Sequence, residues 1–213
     1  MIYEVHTASA GAGQLADVIA DTLRALPARV ALSPLAAFWK ADVGALNRIV
    51  MVWPYRDMAH RDEVTAALRG VPDWPPATAE LLRGEIVEIV TPAPFIRPLT
   101  GAPMGDVLEM RTYTFRPGSI PDVLAIWADM VPARERLSPL VACWTTEIGT
   151  LHRFTHVWSY RNLDERTRIR TEAVRLGIWP PDTREWRLAE ESSILLPINL
   201  DDVLKQRDRK QIL

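Results

Sequence analysis

PARERLSPLVACWTTEIGTLHRFTHVWSYR, residues 132–161, repeats text that the chain has already used as PARVALSPLAAFWKADVGALNRIVMVWPYR, residues 27–56. The copies align without a gap, setting Arg29 on Arg134, Trp39 on Trp144, Arg48 on Arg153 and Tyr55 on Tyr160. The offset (134 minus 29, or 105) holds outward from Glu4/Glu109 to Pro92/Pro197. About a third of the aligned positions are identical, well beyond chance periodicity. The chain is therefore a tandem duplication, and each half has the size of an ordinary domain.

Working outward, each half reads as the same succession of elements. Residues 2–7 and 107–115 are strand-like; in the second run Glu109, Arg111 and Tyr113 share one face, and Leu108, Met110 and Thr112 the other. A turn at Arg116-Pro117-Gly118-Ser119 leads to a helix start at Ser119 with Asp122 three residues on. The helix that follows carries Ile120, Val123, Leu124, Trp127, Met130 and Val131 at helical spacing; its counterpart carries Leu15, Val18, Ile19, Leu23 and Leu26. Both stripes read as core. A strand through Trp144 (Trp39) turns at Gly149 (Gly44) and returns through Phe154, His156, Trp158 and Tyr160, alternate positions on one face. Asn162 with Glu165 forms a capping box for a helix to about Leu176, and Asp57 takes the cap position in the first copy. Trp-Pro-Pro, at residues 74–76 and 179–181, a short helical turn and a final strand close each half.

The unit is β-α-β-β-α-β, the split βαβ of ferredoxin-like domains. The expected boundaries are 1–92 for the first repeat, 93–105 for a Pro/Gly-rich linker, 106–198 for the second repeat and 199–213 for a charged tail. A four-stranded sheet with both helices on one face leaves the other face bare, and the second copy supplies its cover. Exposed sheet edges would still allow further pairing, so a homo-oligomer remains open alongside a monomer.

Composition narrows the partners. With 48% hydrophobic residues and eight tryptophans the chain can build a sizeable core. Its net charge of −2, with bases and acids interspersed, carries no footprint for nucleic acid. One cysteine, Cys143, excludes an intrachain disulfide and a cysteine-rich zinc site. No run is long and apolar enough for a membrane span, and no leader pattern opens the chain, so a cytoplasmic protein is the expectation. Glycine-rich phosphate loops, a G-x-S-x-G elbow and ligand-spaced histidines are all missing, so no cofactor and no metal is expected.

The ordered set Leu137-Ser138-Pro139-Leu140, Trp144-Thr145-Thr146-Glu147-Ile148-Gly149, His156-Val157-Trp158-Ser159-Tyr160-Arg161 and Trp179-Pro180-Pro181 resembles the NIPSNAP family, twice over. The resemblance implies the dimeric α+β barrel superfamily, here formed within one chain from two ferredoxin-like units. That superfamily includes cofactor-free monooxygenases, haem-degrading oxygenases, isomerases and dehydratases; eukaryotic NIPSNAP members are associated with mitochondria and protein–protein contacts. The first copy departs from the family pattern at Asp42, Met51 and Lys40-Ala41, against Glu147, His156 and Thr145-Thr146. The second copy carries His152 where the family has the asparagine kept as Asn47. The second half is therefore the expected place of a pocket.

In that pocket His156 is the candidate general acid or base, among aromatic walls that would hold a flat ligand. Trp158, Tyr160 and Trp144 are the candidate lining, with Glu147 as a second catalytic candidate and Arg134 as a polar or anion contact. The bland alternative makes His156 a core residue. Arg134, Arg153 and Arg161 survive in both copies, which favours structural pairing with Glu109/Glu4 or Glu190/Glu85. Two functions are thus expected: a small-molecule enzyme without organic cofactor, performing proton transfer, cyclisation or oxygenation on an apolar or aromatic substrate, or a non-catalytic binding or scaffold protein.

Overall fold

The computed structural model describes residues 1–99 and 105–200. The first half runs β1 (Ile2–Ala10), α1 (Leu15–Val30), β2 (Ala37–Val43), β3 (Arg48–Tyr55), α2 (Met58–Leu68) and β4 (Leu82–Pro92). The second runs β5 (Val107–Phe115), α3 (Ile120–Glu135), β6 (Leu140–Ile148), β7 (Arg153–Tyr160), α4 (Leu163–Arg175) and β8 (Arg187–Pro197). Each half is the expected β-α-β-β-α-β unit. The 3-10 turn at Arg184–Trp186 is the short helical turn read before β8.

All eight strands join in one closed barrel in the order β1-β3-β2-β8-β5-β7-β6-β4, antiparallel throughout. The halves are stitched at two seams, where Trp39 of β2 pairs with Pro197 of β8 and Pro92 of β4 with Trp144 of β6. The intrachain α+β barrel that the resemblance implies is thus formed, and its closure pairs the edge strands of the two four-stranded sheets with one another.

Closure buries both sides of most strands, while the first halves of β4 and β8 stay exposed. Tyr3, Val5, Trp39, Val50, Val52, Val90, Leu108, Trp144, Val157 and Leu195 form a core inside the barrel. Outside, α1 and α2 cover a layer with Ile49, Met51, Trp53 and Tyr55, while α3 and α4 cover Tyr113, Phe115, Phe154, Trp158 and Tyr160. Stretch 93–105, expected as a plain linker, is packed where it is described: Ala93 and Leu99 are buried, and the Leu99 N–H donates to the Tyr3 hydroxyl at 3.0 Å. The expected tail lies almost entirely in 201–213, outside the described residues.

Local signals explain the helix starts. Asp57 accepts from the His60 N–H, and Asn162 from the Glu165 N–H. The Glu165 carboxylate reaches back to the Arg161 N–H at 2.7 Å, one residue ahead of the cap. Ser119 behaves differently, its hydroxyl donating to the Arg116 carbonyl instead of capping α3. The β2–β3 and β6–β7 turns both need left-handed backbone, at Gly44 (φ 110°) and Asn47 (φ 55°), and at Gly149 (φ 133°) and His152 (φ 60°). Asparagine tolerates that region better than most residues, which accounts for the Asn47 side of the comparison.

Candidate functional site

The barrel lumen is not filled to its end. Toward the two turns just described it opens into a cavity of about 310 Å³. Its apolar wall comes from Val5, Val50, Met110, Trp144 and Leu195, and its polar side from Thr7, Thr112, Thr155, Arg48, Arg153, Glu88, Glu191 and Ser193. The duplication orders this lining: Val5 corresponds to Met110, Thr7 to Thr112, Arg48 to Arg153, Val50 to Thr155, Ile86 to Glu191 and Glu88 to Ser193. Each residue in these pairs touches the cavity, so it sits between the two copies and both halves build it.

Its polar groups are already arranged. The Thr112 and Thr155 hydroxyls lie 2.9 Å apart across the β5–β7 ladder. Arg153 faces two carboxylates, Glu88 at 3.7 Å and Glu191 at 3.5 Å. Glu88 also accepts from the Thr150 N–H at 3.2 Å. The close approach is allowed by Gly149, where a Cβ would lie 2.9 Å from the Glu88 side chain.

Of the residues expected at a pocket, Trp144 lines this cavity. His156, Trp158, Tyr160 and Arg134 are brought together on the opposite side of the barrel wall, beneath α3 and α4. The alternation on β7 is as read, but the His156 face points to the helices, and Arg153, Thr155 and Val157 point inward. Glu147 is exposed near the end of β6 and joins neither group.

The helix-side group is densely packed. Arg134 donates to the Tyr160 hydroxyl at 3.0 Å and to Ser138 at 2.8 Å, and its guanidinium lies 4.3 Å over the Trp158 ring. The His156 ring sits 4.6 Å from Trp127 and 5.2 Å from Tyr113. Both of its nitrogens are buried without a hydrogen-bond partner. Burial holds the imidazole well below its usual pKa, and the positive charges of Arg111, Arg170, Arg134 and Arg187 add to the effect. The bland expectation of a core histidine describes its position, though not its hydrogen bonding.

Glu109 takes the charged role on this side. It is fully buried and accepts from Arg111, Arg166 and Arg170. Burial raises its pKa, but the Arg166 hydrogen bond and the charges of Arg170, Arg111 and Arg166 outweigh that and leave it lowered. Of the expected pairings of the retained arginines, Arg29 with Glu4 is present at 4.0 Å, while Arg153 goes to Glu88 and Glu191, and Arg161 to Glu165. Cys143 is buried, and desolvation pushes its thiol well above the usual range.

Sequence reasoning missed the lumen residues Arg48, Glu88, Thr112, Thr155 and Ser193. A usable signal existed. On β7 the face with Phe154, His156, Trp158 and Tyr160 is bulky, while Thr155, Val157 and Ser159 are small. Small side chains belong in the limited interior of an eight-stranded barrel, and bulky ones between sheet and helix.

Comparison with known proteins agrees with this architecture. The NIPSNAP family model matches residues 3–97 and again 108–200. Human protein NipSnap homolog 3A is 27% identical over 183 residues, which is 79% of this chain and 72% of that protein. A candidate monooxygenase from Fusobacterium nucleatum superposes with a TM-score of 0.61 at 10% identity, covering 93% of this chain and 92% of that one. An anthrone oxidase-like protein gives 0.62 at 7% identity, covering 93% and 91%. At such identities these two structures establish a shared fold.

Proposed function

The chain belongs to the NIPSNAP family in both of its halves, and we propose that its barrel cavity receives an apolar or aromatic small molecule and acts on it without an organic cofactor. The observation that carries this reading is the cavity itself: about 310 Å³, with an apolar wall on one side and fixed polar groups on the other. That volume falls at the lower end of the range for ligand sites, about 300–1,000 Å³. Trp144 gives a flat ligand a wall, and the Thr112–Thr155 pair offers a buried hydroxyl to orient a polar atom.

Proton transfer, cyclisation and oxygenation all need a group that can take or lend a proton at the ligand. In this reading Glu88 has that role, because it lines the cavity and is fixed by the Thr150 N–H and Arg153. His156 contributes from behind the wall by shaping the aromatic layer, and Glu147 stays at the rim of the fold. A non-catalytic binding or scaffold protein is the second reading. One observation favours it: Arg134, Trp158 and Tyr160 form a packed assembly that the first half repeats with Arg29, Trp53 and Tyr55.

Native mass spectrometry of freshly purified protein, paired with oxygen-uptake and substrate-depletion assays on flat aromatic compounds, tests the enzyme reading. A retained small mass that Val50→Phe abolishes, with turnover lost in Glu88→Gln, is the expected result. A retained mass without turnover leaves a binding protein. No retained mass and no turnover sinks the cavity reading in favour of the scaffold.

A further inference from the structure

The cavity is built by a duplicated frame, yet its charges do not obey the duplication. Arg48 and Arg153 are equivalent positions, and both line it. Arg153 is compensated by Glu88 and Glu191. The equivalents of those two carboxylates around Arg48 are Ser193 and Ile86, an uncharged hydroxyl and an alkyl chain. Arg48 makes no ion pair or side-chain hydrogen bond with any described residue.

Ser193 occupies its neighbour's place closely. A Cβ on Gly44 would lie 2.5 Å from the Ser193 hydroxyl oxygen, as a Cβ on Gly149 would lie 2.9 Å from the Glu88 side chain. The two turns therefore approach β8 and β4 in the same way. At one of them the arginine meets a carboxylate, and at the other the equivalent position holds a hydroxyl in its place. The lining as a whole is neutral, with two arginines and two glutamates. It has no general attraction for anions, only one cation whose counter-charge is missing on one side.

We infer that the missing counter-charge is the ligand's own: the cavity takes an apolar body bearing one oxyanion, a carboxylate or an ionised phenol, with Arg48 and Ser193 binding the oxyanion. This rests on the small-molecule reading above and sharpens its substrate class. The guanidinium offers a planar fork of N–H donors that fits a carboxylate, and Ser193 adds an O–H. The body of the ligand then lies along Val5, Val50, Met110 and Trp144, away from the Arg153 carboxylates, which would repel an anion.

Calorimetric binding of 2-naphthoate and 2-naphthamide, nearly isosteric and differing in charge, tests the inference on the wild-type chain and on Arg48→Gln, Arg153→Gln and Ser193→Glu. Thermal unfolding checks that each variant is folded. The expected result is a preference for the naphthoate of tenfold or more, the worth of a charge-assisted hydrogen bond. Arg48→Gln removes that preference by weakening the naphthoate far more than the naphthamide, whose neutral carbonyl loses only an unassisted hydrogen bond there. Ser193→Glu removes it as well, by giving Arg48 the carboxylate that Arg153 already has.

Equal binding of the two probes overturns the oxyanion assignment and leaves the cavity reading standing. Loss of the preference in Arg153→Gln but not in Arg48→Gln overturns the choice of arginine. Failure of both probes to bind the wild-type chain overturns the cavity reading and this inference with it. An unfolded Arg48→Gln leaves the decision to Ser193→Glu, which changes a different residue and strand.

Discussion

In the first half Arg29 lies 4.0 Å over Trp53 and 5.4 Å from Trp74, and donates to Tyr55 at 2.6 Å. In the second, Arg134 lies 4.3 Å over Trp158 and 5.8 Å from Trp179, and donates to Tyr160 at 3.0 Å. Each assembly ties the C-terminal turn of the first helix to the end of the third strand and to the Trp-Pro-Pro loop. What surrounds it differs. Met51, Thr22, Ala8 and Thr65 in one half stand where His156, Trp127, Tyr113 and Arg170 stand in the other. The parts held constant are those that pin helix to sheet in both units. The parts that changed fill the second helix layer with rings and arginines, and the lumen with an unequal set of charges.

The sharpest contrast concerns a pair of glutamates. Glu4 accepts from Arg61 alone at hydrogen-bond distance, with Arg29 4.0 Å away, whereas Glu109 is fully buried among three arginines. Removing one member of a buried ion cluster costs about 3–5 kcal/mol, because the others lose their counter-charge. Glu109→Gln should therefore destabilise the chain by about that amount in urea unfolding, and Glu4→Gln by clearly less. The pH dependence follows from the lowered folded pKa of Glu109. Its contribution is fully present above the ordinary glutamate value, about 4.3, and is lost as pH falls through the lower folded value. Glu109→Gln should flatten that acid limb. Equal losses at the two glutamates would show that the second cluster adds nothing.

The shared assembly should respond alike in both halves. Arg29→Met and Arg134→Met each remove a charge-assisted hydrogen bond and a cation–π contact, a loss of about 2–3 kcal/mol. Equal shifts in the unfolding midpoint are expected. A loss confined to Arg134 would separate the halves and return that arginine to a role particular to the second one.

How these residues group was legible from the sequence, but not which way they face. Alternation put Phe154, His156, Trp158 and Tyr160 on one side of β7, and Glu109, Arg111 and Tyr113 on one side of β5, as observed. In a barrel both sides of most strands are buried, so polarity does not distinguish lumen from helix layer, and period two carries no direction. Side-chain size does. The pairing of Arg134 with Glu109 failed for a different reason. Arg166 and Arg170 reach Glu109 from α4, 57 and 61 residues away in the chain, and no local pattern announces contacts at that separation. The cavity was beyond reach in the same sense: its lining alternates between copies, and only closure of the barrel brings Arg48 and Ser193 to one wall.

His156 gives the comparison a test in which the first half supplies the control residue. Both ring nitrogens are buried and unpartnered, and Met51 holds the equivalent place. An unsatisfied buried polar group costs about 1–3 kcal/mol, so His156→Met should raise stability by about 1 kcal/mol at neutral pH, after the cost of refitting a larger chain. The native imidazole stays neutral because its pKa is pushed well down. Below about 6.5, the ordinary histidine value, the unfolded chain gains a proton that the native chain does not. Stability should therefore fall as pH drops below that value, and His156→Met should remove this part of the slope. Loss of turnover in His156→Met with the fold intact would instead give the histidine a part in chemistry.

The smallest effect expected lies at the second helix of each half, where the caps look alike but are not. Asp57 caps α2 through the His60 N–H, and the His60 imidazole answers by accepting from the Arg56 N–H at 3.2 Å, without an ion pair. Asn162 caps α4 in the same way, and Glu165 answers by accepting from the Arg161 backbone N–H and by pairing with the Arg161 side chain. A lost cap costs about 1 kcal/mol, so Asp57→Ala and Asn162→Ala should each shift the unfolding midpoint by that order. Glu165 is partnered only with exposed arginines, and surface pairs contribute little. Glu165→Ala should nevertheless cost measurably more than His60→Ala, because His60 holds the Arg56 N–H at 3.2 Å with no ion pair, whereas Glu165 holds the Arg161 N–H at 2.7 Å and its side chain as well. Backbone amide exchange in the first turns of α2 and α4 reads the difference directly. A larger gain in exchange at the start of α4 in Glu165→Ala than at the start of α2 in His60→Ala would show that the second copy has the stronger cap. Equal exchange would leave the two helix starts equivalent despite their different bonds.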